Sequence, residues 1–161
     1  LISIDYGLPY LPLFETRIVR IFNTFGPRMR LNDGRVLPTF FGQALQDKPL
    51  TAFGDGSQTR SFTYVDDVIE VFLGYFSATM PICNIGNPQE VTINEFAQEI
   101  LQLTQSSSTI SYQALPEDDP KQRKPDISLA KELLDWRPQF TRSEGLKITV
   151  DTFKPIRKPE K

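Results

Sequence analysis

Arg20, Arg28, Arg30 and Arg35 follow one another over a short span, with Asn23 among them. That set suits an anionic partner rich in hydrogen-bond acceptors, because each guanidinium offers a planar fork of donors. A core strand running into a basic surface loop accounts for the same residues. A second candidate is Arg60, which closes Gly54-Asp55-Gly56-Ser57-Gln58-Thr59-Arg60. This stretch lacks Gly-x-x-x-x-Gly-Lys and leads into an extended segment, so it is no Walker loop. Arg60 itself could hold two phosphate oxygens, or pair at the surface with Asp55 or Asp66. Arg123 is the third candidate, after the acidic Glu117 to Asp119 and before Lys124-Pro125-Asp126. A fixed guanidinium there could bind a carboxylate or a diphosphate, and a solvated charge run is the plain alternative.

The elements that must position these residues are legible in part. Ile18, Val19, Ile21 and Phe22 form a nearly continuous apolar run, which predicts a strand over Thr16 to Asn23 buried on both faces of a parallel sheet. Ligands of open α/β sheets lie beyond the carboxyl ends of the strands, so Asn23 to Arg35 is expected at a ligand. Val36 to Gln46 presents a helical face, with Pro38 tolerated in its first turn. Leu50 to Phe53 reads as a short strand, and Ser61 to Val65 is extended. Asp66 opens a helix to about Ala78, with Val68, Val71, Phe72 and Tyr75 on one face. Ile82 to Ile85 is a second core strand. Thr92 and Glu95 form a capping box for a helix burying Ile93, Phe96, Ala97, Ile100 and Leu101. Thr109 to Ala114 is a strand, Leu115 to Asp126 a charged loop, and Ser128 to Leu134 a short helix. Ser143 to Phe153 is the last helix, and 154–161 is a frayed basic tail.

Composition narrows the function classes. The 161-residue chain, 39% apolar, can bury a real core. Its net charge of −2 argues against a nucleic-acid surface. An anion must therefore be met by local arginine clustering. With no histidine, a His-based triad, a His metal site and a Cys-His nucleophile are excluded. Cys83 is the single cysteine, which fits a reducing compartment. No apolar run approaches ~18 residues, so no transmembrane helix is expected.

Longer motifs carry a resemblance. Arg20-Ile21-Phe22-Asn23-Thr24-Phe25-Gly26-Pro27-Arg28-Met29 and Asn32-Asp33-Gly34-Arg35-Val36 closely resemble the UDP-glucuronate decarboxylases (UDP-xylose synthases). So do Gly54 to Phe62, Asn84-Ile85-Gly86-Asn87-Pro88, Asp118 to Ile127 and Trp136-Arg137-Pro138. These enzymes belong to the extended short-chain dehydrogenase/reductase superfamily, with the nucleotide-sugar epimerases and dehydratases. The resemblance covers about Thr16 to Phe153. It implies an α/β fold: the C-terminal part of a Rossmann-type NAD-dependent epimerase/dehydratase, with the smaller sugar-nucleotide-binding domain.

The resemblance also implies roles. Asn23 and Arg60 would bind the UDP-sugar near its diphosphate, and Arg28 would reach the same cleft. Thr24 and Arg35 would lie toward the NAD cofactor. Arg123 would act at the sugar carboxylate, as proton donor or electrostatic anchor. An arginine that stays protonated is a poor acid, so positioning is preferred. The family oxidises UDP-glucuronate at C4 with NAD, loses carbon dioxide from the β-keto acid and returns hydride to give UDP-xylose. Its full-length members pair as homodimers, in the cytoplasm or the Golgi lumen; a cytoplasmic location is expected here.

The departures matter as much. Members carry a glycine-rich NAD motif and a Tyr-x-x-x-Lys pair before the Arg-Ile-Phe-Asn strand, and this sequence has neither. Residues 1–15 form an irregular lead unlike the family's catalytic helix, and the first residue is Leu1. The expectation is the UDP-sugar-binding half of a decarboxylase, a partial chain without independent turnover and prone to self-association through an exposed edge strand. A non-catalytic UDP-sugar-binding module, or part of an epimerase or 4,6-dehydratase, are the alternatives.

Overall fold

The computed structural model describes residues 18–31, 33–75, 82–116, 120 and 122–154. The lead over 1–15 and all of the tail beyond Lys154 lie outside these residues, as do Glu117 to Asp119. The chain runs β1 (Val19–Ile21), β2 (Thr24–Phe25), α1 (Val36–Ala44), β3 (Leu50–Phe53), β4 (Thr59–Ser61) and β5 (Thr63–Tyr64). It continues through α2 (Val65–Tyr75), β6 (Cys83–Ile85), β7 (Glu90–Thr92), α3 (Ile93–Thr104) and β8 (Ile110–Gln113). β9 (Gln122–Arg123), α4 (Ser128–Leu134) and α5 (Arg142–Phe153) complete it.

Three parallel pairs, β1 with β6, β2 with β5 and β3 with β8, mark an α/β architecture with crossover connections. A fourth sheet has β4 at its centre, antiparallel to β7 and parallel to β9. The helices form where side chains satisfy their ends. Both α3 and α5 begin with a reciprocal capping box, Thr92 with Glu95 and Thr141 with Glu144. Pro38 sits in the first turn of α1, where its missing N–H costs no helical bond.

Two apolar clusters hold the elements together. The larger joins α1, α3 and α5 to β2, β3 and β5 and is rich in phenylalanine. Phe62 stacks on Phe96 at 4.3 Å between ring centroids, and Phe41 on Phe153 at 5.2 Å. The smaller gathers Val68, Val71, Cys83, Ile85, Ile127 and Trp136 between α2, β6 and the α4 region.

Several expectations need correction. The first strand is shorter than Thr16 to Asn23, and it is not buried on both faces: Arg20 is exposed and Ile21 is 47% exposed. Among the described residues β1 pairs with β6 alone. Phe72 is 40% exposed although Val68 and Val71 are buried as expected. Glu90–Thr92 is a strand, where the sequence suggested only a helix cap. Gln122–Arg123 is a strand inside the expected loop, too short and too exposed to show any periodicity.

Candidate functional site

A cavity of about 820 Å³ opens between the start of α1, the β3–β8 pair and the sheet centred on β4. That volume lies in the range of small-molecule sites. Asn23, Thr24, Arg35, Arg60 and Arg123 all contribute to its wall. Arg28 does not; it occupies a left-handed turn (φ 68°) after Gly26-Pro27 and is exposed. Residues of distant sequence are thus brought to one place by the strand pairing.

Each side chain is fixed locally. Asn23 Nδ2 donates to the Ser61 carbonyl at 3.1 Å, and the Asn23 carbonyl accepts from the Thr63 amide at 3.0 Å. Asn23 therefore ties the end of β1 onto the β4–β5 segment and faces the cavity from that tether. Thr24 Oγ1 donates to the Phe22 carbonyl at 2.9 Å. The Thr24 carbonyl accepts from Arg35 Nη1 at 3.2 Å. Arg35 Nε also donates to Asp33 Oδ2 at 2.7 Å, and its guanidinium forms an ion pair with the same carboxylate. Burial pulls the Asp33 carboxyl upward, but the hydrogen bonds and charge of Arg35 outweigh it and leave Asp33 below the usual carboxylate range. Arg35 stands at the mouth, with over half of its side chain exposed.

Arg60 is the deep cation, only 7% exposed. Its Nη1 donates to the Thr59 carbonyl at 2.8 Å. Arg123 is its Cα partner on the neighbouring parallel strand. Side chains at partnered positions of adjacent strands share a face, with strands ~4.8 Å apart. Two guanidinium stems therefore rise side by side from one sheet toward the cavity. Asp55 accepts from the amide and hydroxyl of Ser57 at 2.9 and 2.6 Å, which hold its carboxyl below the usual range.

The wall includes residues that the sequence did not single out. Gln58 and Phe62 flank Arg60 at alternate positions, and all three line the cavity. Reading that segment with period two would have found them. Gln43 reaches across from α1, where Nε2 donates to Thr51 Oγ1 at 2.9 Å while Oε1 accepts from the Thr51 amide at 3.0 Å. That reciprocal pair pins α1 to β3 at the cavity floor. Among the described lining residues, the titratable side chains are Arg35, Arg60 and Arg123. The arrangement can bind and orient an anion. A general base needs a group that gives up its proton near neutral pH, and a guanidinium does not.

Residues 10–86 match the NAD dependent epimerase/dehydratase family. Over 142 residues the chain is 48% identical to UDP-glucuronic acid decarboxylase 1 of Xenopus tropicalis, covering 87% of this chain and 34% of that protein. It is 45% identical over 141 residues to UDP-glucuronic acid decarboxylase 2 of Arabidopsis thaliana, covering 87% and 32% respectively. The chain thus spans about a third of the length of these curated relatives. A UDP-glucose 4-epimerase from Thermotoga maritima, solved with UDP-glucose, superposes with a TM-score of 0.82 at 29% identity, covering 86% of this chain and 46% of that one. A UDP-glucuronic acid 4-epimerase from Bacillus cereus, solved with UDP-glucuronic acid and NAD, gives 0.78 at 34% identity, with coverages of 86% and 45%. With its parallel strand pairs and crossover helices, the chain belongs to the NAD dependent epimerase/dehydratase family and has part of that family's Rossmann-type fold.

Proposed function

We propose that this chain is the UDP-sugar-binding portion of a UDP-glucuronate decarboxylase. The observation that carries the reading is the cavity wall formed by Arg60 and Arg123, register partners on one sheet, with Arg35 at the mouth. The oxygens of a diphosphate can accept from two neighbouring guanidinium groups at once. Asn23 adds a polar group at the strand end, and the apolar remainder of the wall suits a base and a sugar ring. Arg123 orients the sugar carboxylate or the diphosphate electrostatically. The identity of 45–48% to curated decarboxylases favours that chemistry over the 4-epimerases, which match at 29–34%.

NAD fits these residues only at an edge. Thr24 and Arg35 can meet one end of such a cofactor, but the sequence contains no Gly-x-Gly-x-x-Gly turn for its pyrophosphate and no Tyr-x-x-x-Lys pair. Hydride transfer is therefore assigned to no residue of this chain, and the chain alone is expected to bind without turning over. Self-association, through its exposed apolar surface, belongs to the same reading.

Calorimetric titration with UDP tests it, with Arg60→Ala as the control and a cooperative melt as proof of folding. The expected result is saturable binding, weakened at least about tenfold in the mutant, the scale of losing one charge-assisted bidentate contact. A folded chain that ignores UDP overturns the proposal.

A further inference from the structure

Glu90, on the edge strand β7, stands on the face of the sheet away from the cavity, and its side chain reaches both β4 and β9. In and beside β4, Gln58, Arg60 and Phe62 line the cavity, while Thr59 alternates to the reverse face. Glu90 pairs with Ser61, and Gln122 pairs with Thr59, so both also stand on that reverse face. There, Glu90 Oε1 accepts from Thr59 Oγ1 at 2.7 Å and from Gln122 Nε2 at 2.7 Å. Its Oε2 lies 3.5 Å from Lys124 Nζ. One carboxylate on β7 thereby holds β4 and β9 together across the full width of the sheet.

We propose that Glu90 is a positioning residue: by clamping Thr59, Gln122 and Lys124 from behind, it sets the spacing of Arg60 and Arg123 for an anionic ligand. This rests on the reading of the cavity as a diphosphate site. The need for a clamp is physical. β9 contributes only two residues to the sheet, one of them Arg123, the register partner of Arg60. Backbone pairing over two residues is a weak restraint, and β9 is further held by the Glu90–Gln122 bond and by a long 3.3 Å bond from Ser61 Oγ to the Arg123 carbonyl. The hydrogen bonds from Thr59 and Gln122, with Lys124 nearby, hold the Glu90 carboxyl below the usual range, so it stays anionic at neutral pH.

The test combines a ligand-free measurement with titration. Amide hydrogen exchange is followed at Gln122 and Arg123 in the wild type, Glu90→Gln and Glu90→Ala. UDP affinity is measured in the same proteins and again in an Arg123→Gln background. Glu90→Ala is expected to speed exchange in β9 about tenfold, while α3 and β3 are unchanged, as for a local opening. UDP affinity should fall about tenfold in Glu90→Ala and by less in Glu90→Gln, which keeps an acceptor oxygen; the loss should vanish in the Arg123→Gln background. A merely structural Glu90 would weaken binding equally in both backgrounds, and that result overturns the proposal. Unchanged exchange in Glu90→Ala overturns it too. If exchange responds as expected while even the wild type ignores UDP, the diphosphate reading falls and the clamp on β9 is upheld.

Discussion

The indole Nε1–H of Trp136 donates to the backbone carbonyl of Asp67 at 3.1 Å, joining the segment after α4 to the first turn of α2. The Asp67 side chain completes the connection. Its Oδ1 accepts from the Gln139 amide at 2.8 Å, and both oxygens stand near the Phe140 amide at 3.3 and 3.4 Å. At 1% exposure, the carboxylate is a buried hinge pin between the two apolar clusters. Asp67→Ala removes the acceptor from the two part-buried N–H groups and should cost about 2–3 kcal/mol. Asp67→Asn keeps one acceptor oxygen and should cost less. Urea denaturation of the three proteins at neutral pH checks the order.

The same group has an unusual pH signature. Burial pushes the Asp67 carboxyl above 3.8 despite the opposing hydrogen bonds, with Glu70 and Asp66 adding to the rise. A raised folded-state value means that the folded chain holds the proton more tightly, so this contribution is present below 3.8 and lost as pH rises through the folded value. Glu95 and Glu144 act oppositely: hydrogen bonds from their capping threonines hold both below 4.5. Their stabilisation is complete above 4.5 and lost as pH falls through the lowered values. The two capping glutamates therefore lower the melting temperature on acidification, against the opposite contribution of Asp67. Glu95→Gln with Glu144→Gln keeps both capping boxes, since glutamine serves at that position, and should flatten the acid limb. An unchanged limb would count against these assignments.

What was legible in the sequence divides by range. α3 and α1 were readable because period 3.6 and a capping box are local signals. Arg60 and Arg123 stood out because of their motifs. Their adjacency did not, because it arises from register between strands 63 residues apart in chain numbering, which no local pattern encodes. β7 was hidden because Thr92 was already explained as a cap. Burial of β1 was overstated because an apolar run reports what a strand could bury, and its neighbours decide what it does bury.

Glycines provide a sharper local test. Gly56 and Gly34 both hold positive φ, 73° and 80°. Beside Gly56, an added Cβ would run into the Asn94 side chain, whose Nδ2 donates to the Asp55 carbonyl at 2.8 Å and whose Oδ1 accepts from Tyr112 Oη at 3.0 Å. A Cβ added at Gly34 would meet nothing within 4 Å among the described residues. Alanine at Gly34 should cost only the left-handed strain of about 1–2 kcal/mol. Alanine at Gly56 should cost more, by about 1–3 kcal/mol of overpacking. Paired denaturation curves measure the difference, and equal losses would contradict the Asn94 contact.

Surface apolar residues predict the behaviour of the chain at high concentration. On α2, Ile69, Phe72 and Leu73 follow i, i+3, i+4 spacing and are 48%, 40% and 79% exposed. Ile21 on β1 is 47% exposed, and β1 has one pairing partner among the described residues. A stripe of this kind gains free energy when covered, at about 25 cal/mol per Å². Light scattering should accordingly report concentration-dependent association of the wild type. Leu73→Glu, which places a charge on the most exposed of these residues, should shift the population toward monomer while leaving the melt unchanged, because Leu73 contributes little to the core. A wild type that stays monomeric at every concentration, with a cooperative melt, would show that the stripe is tolerated in water as it stands.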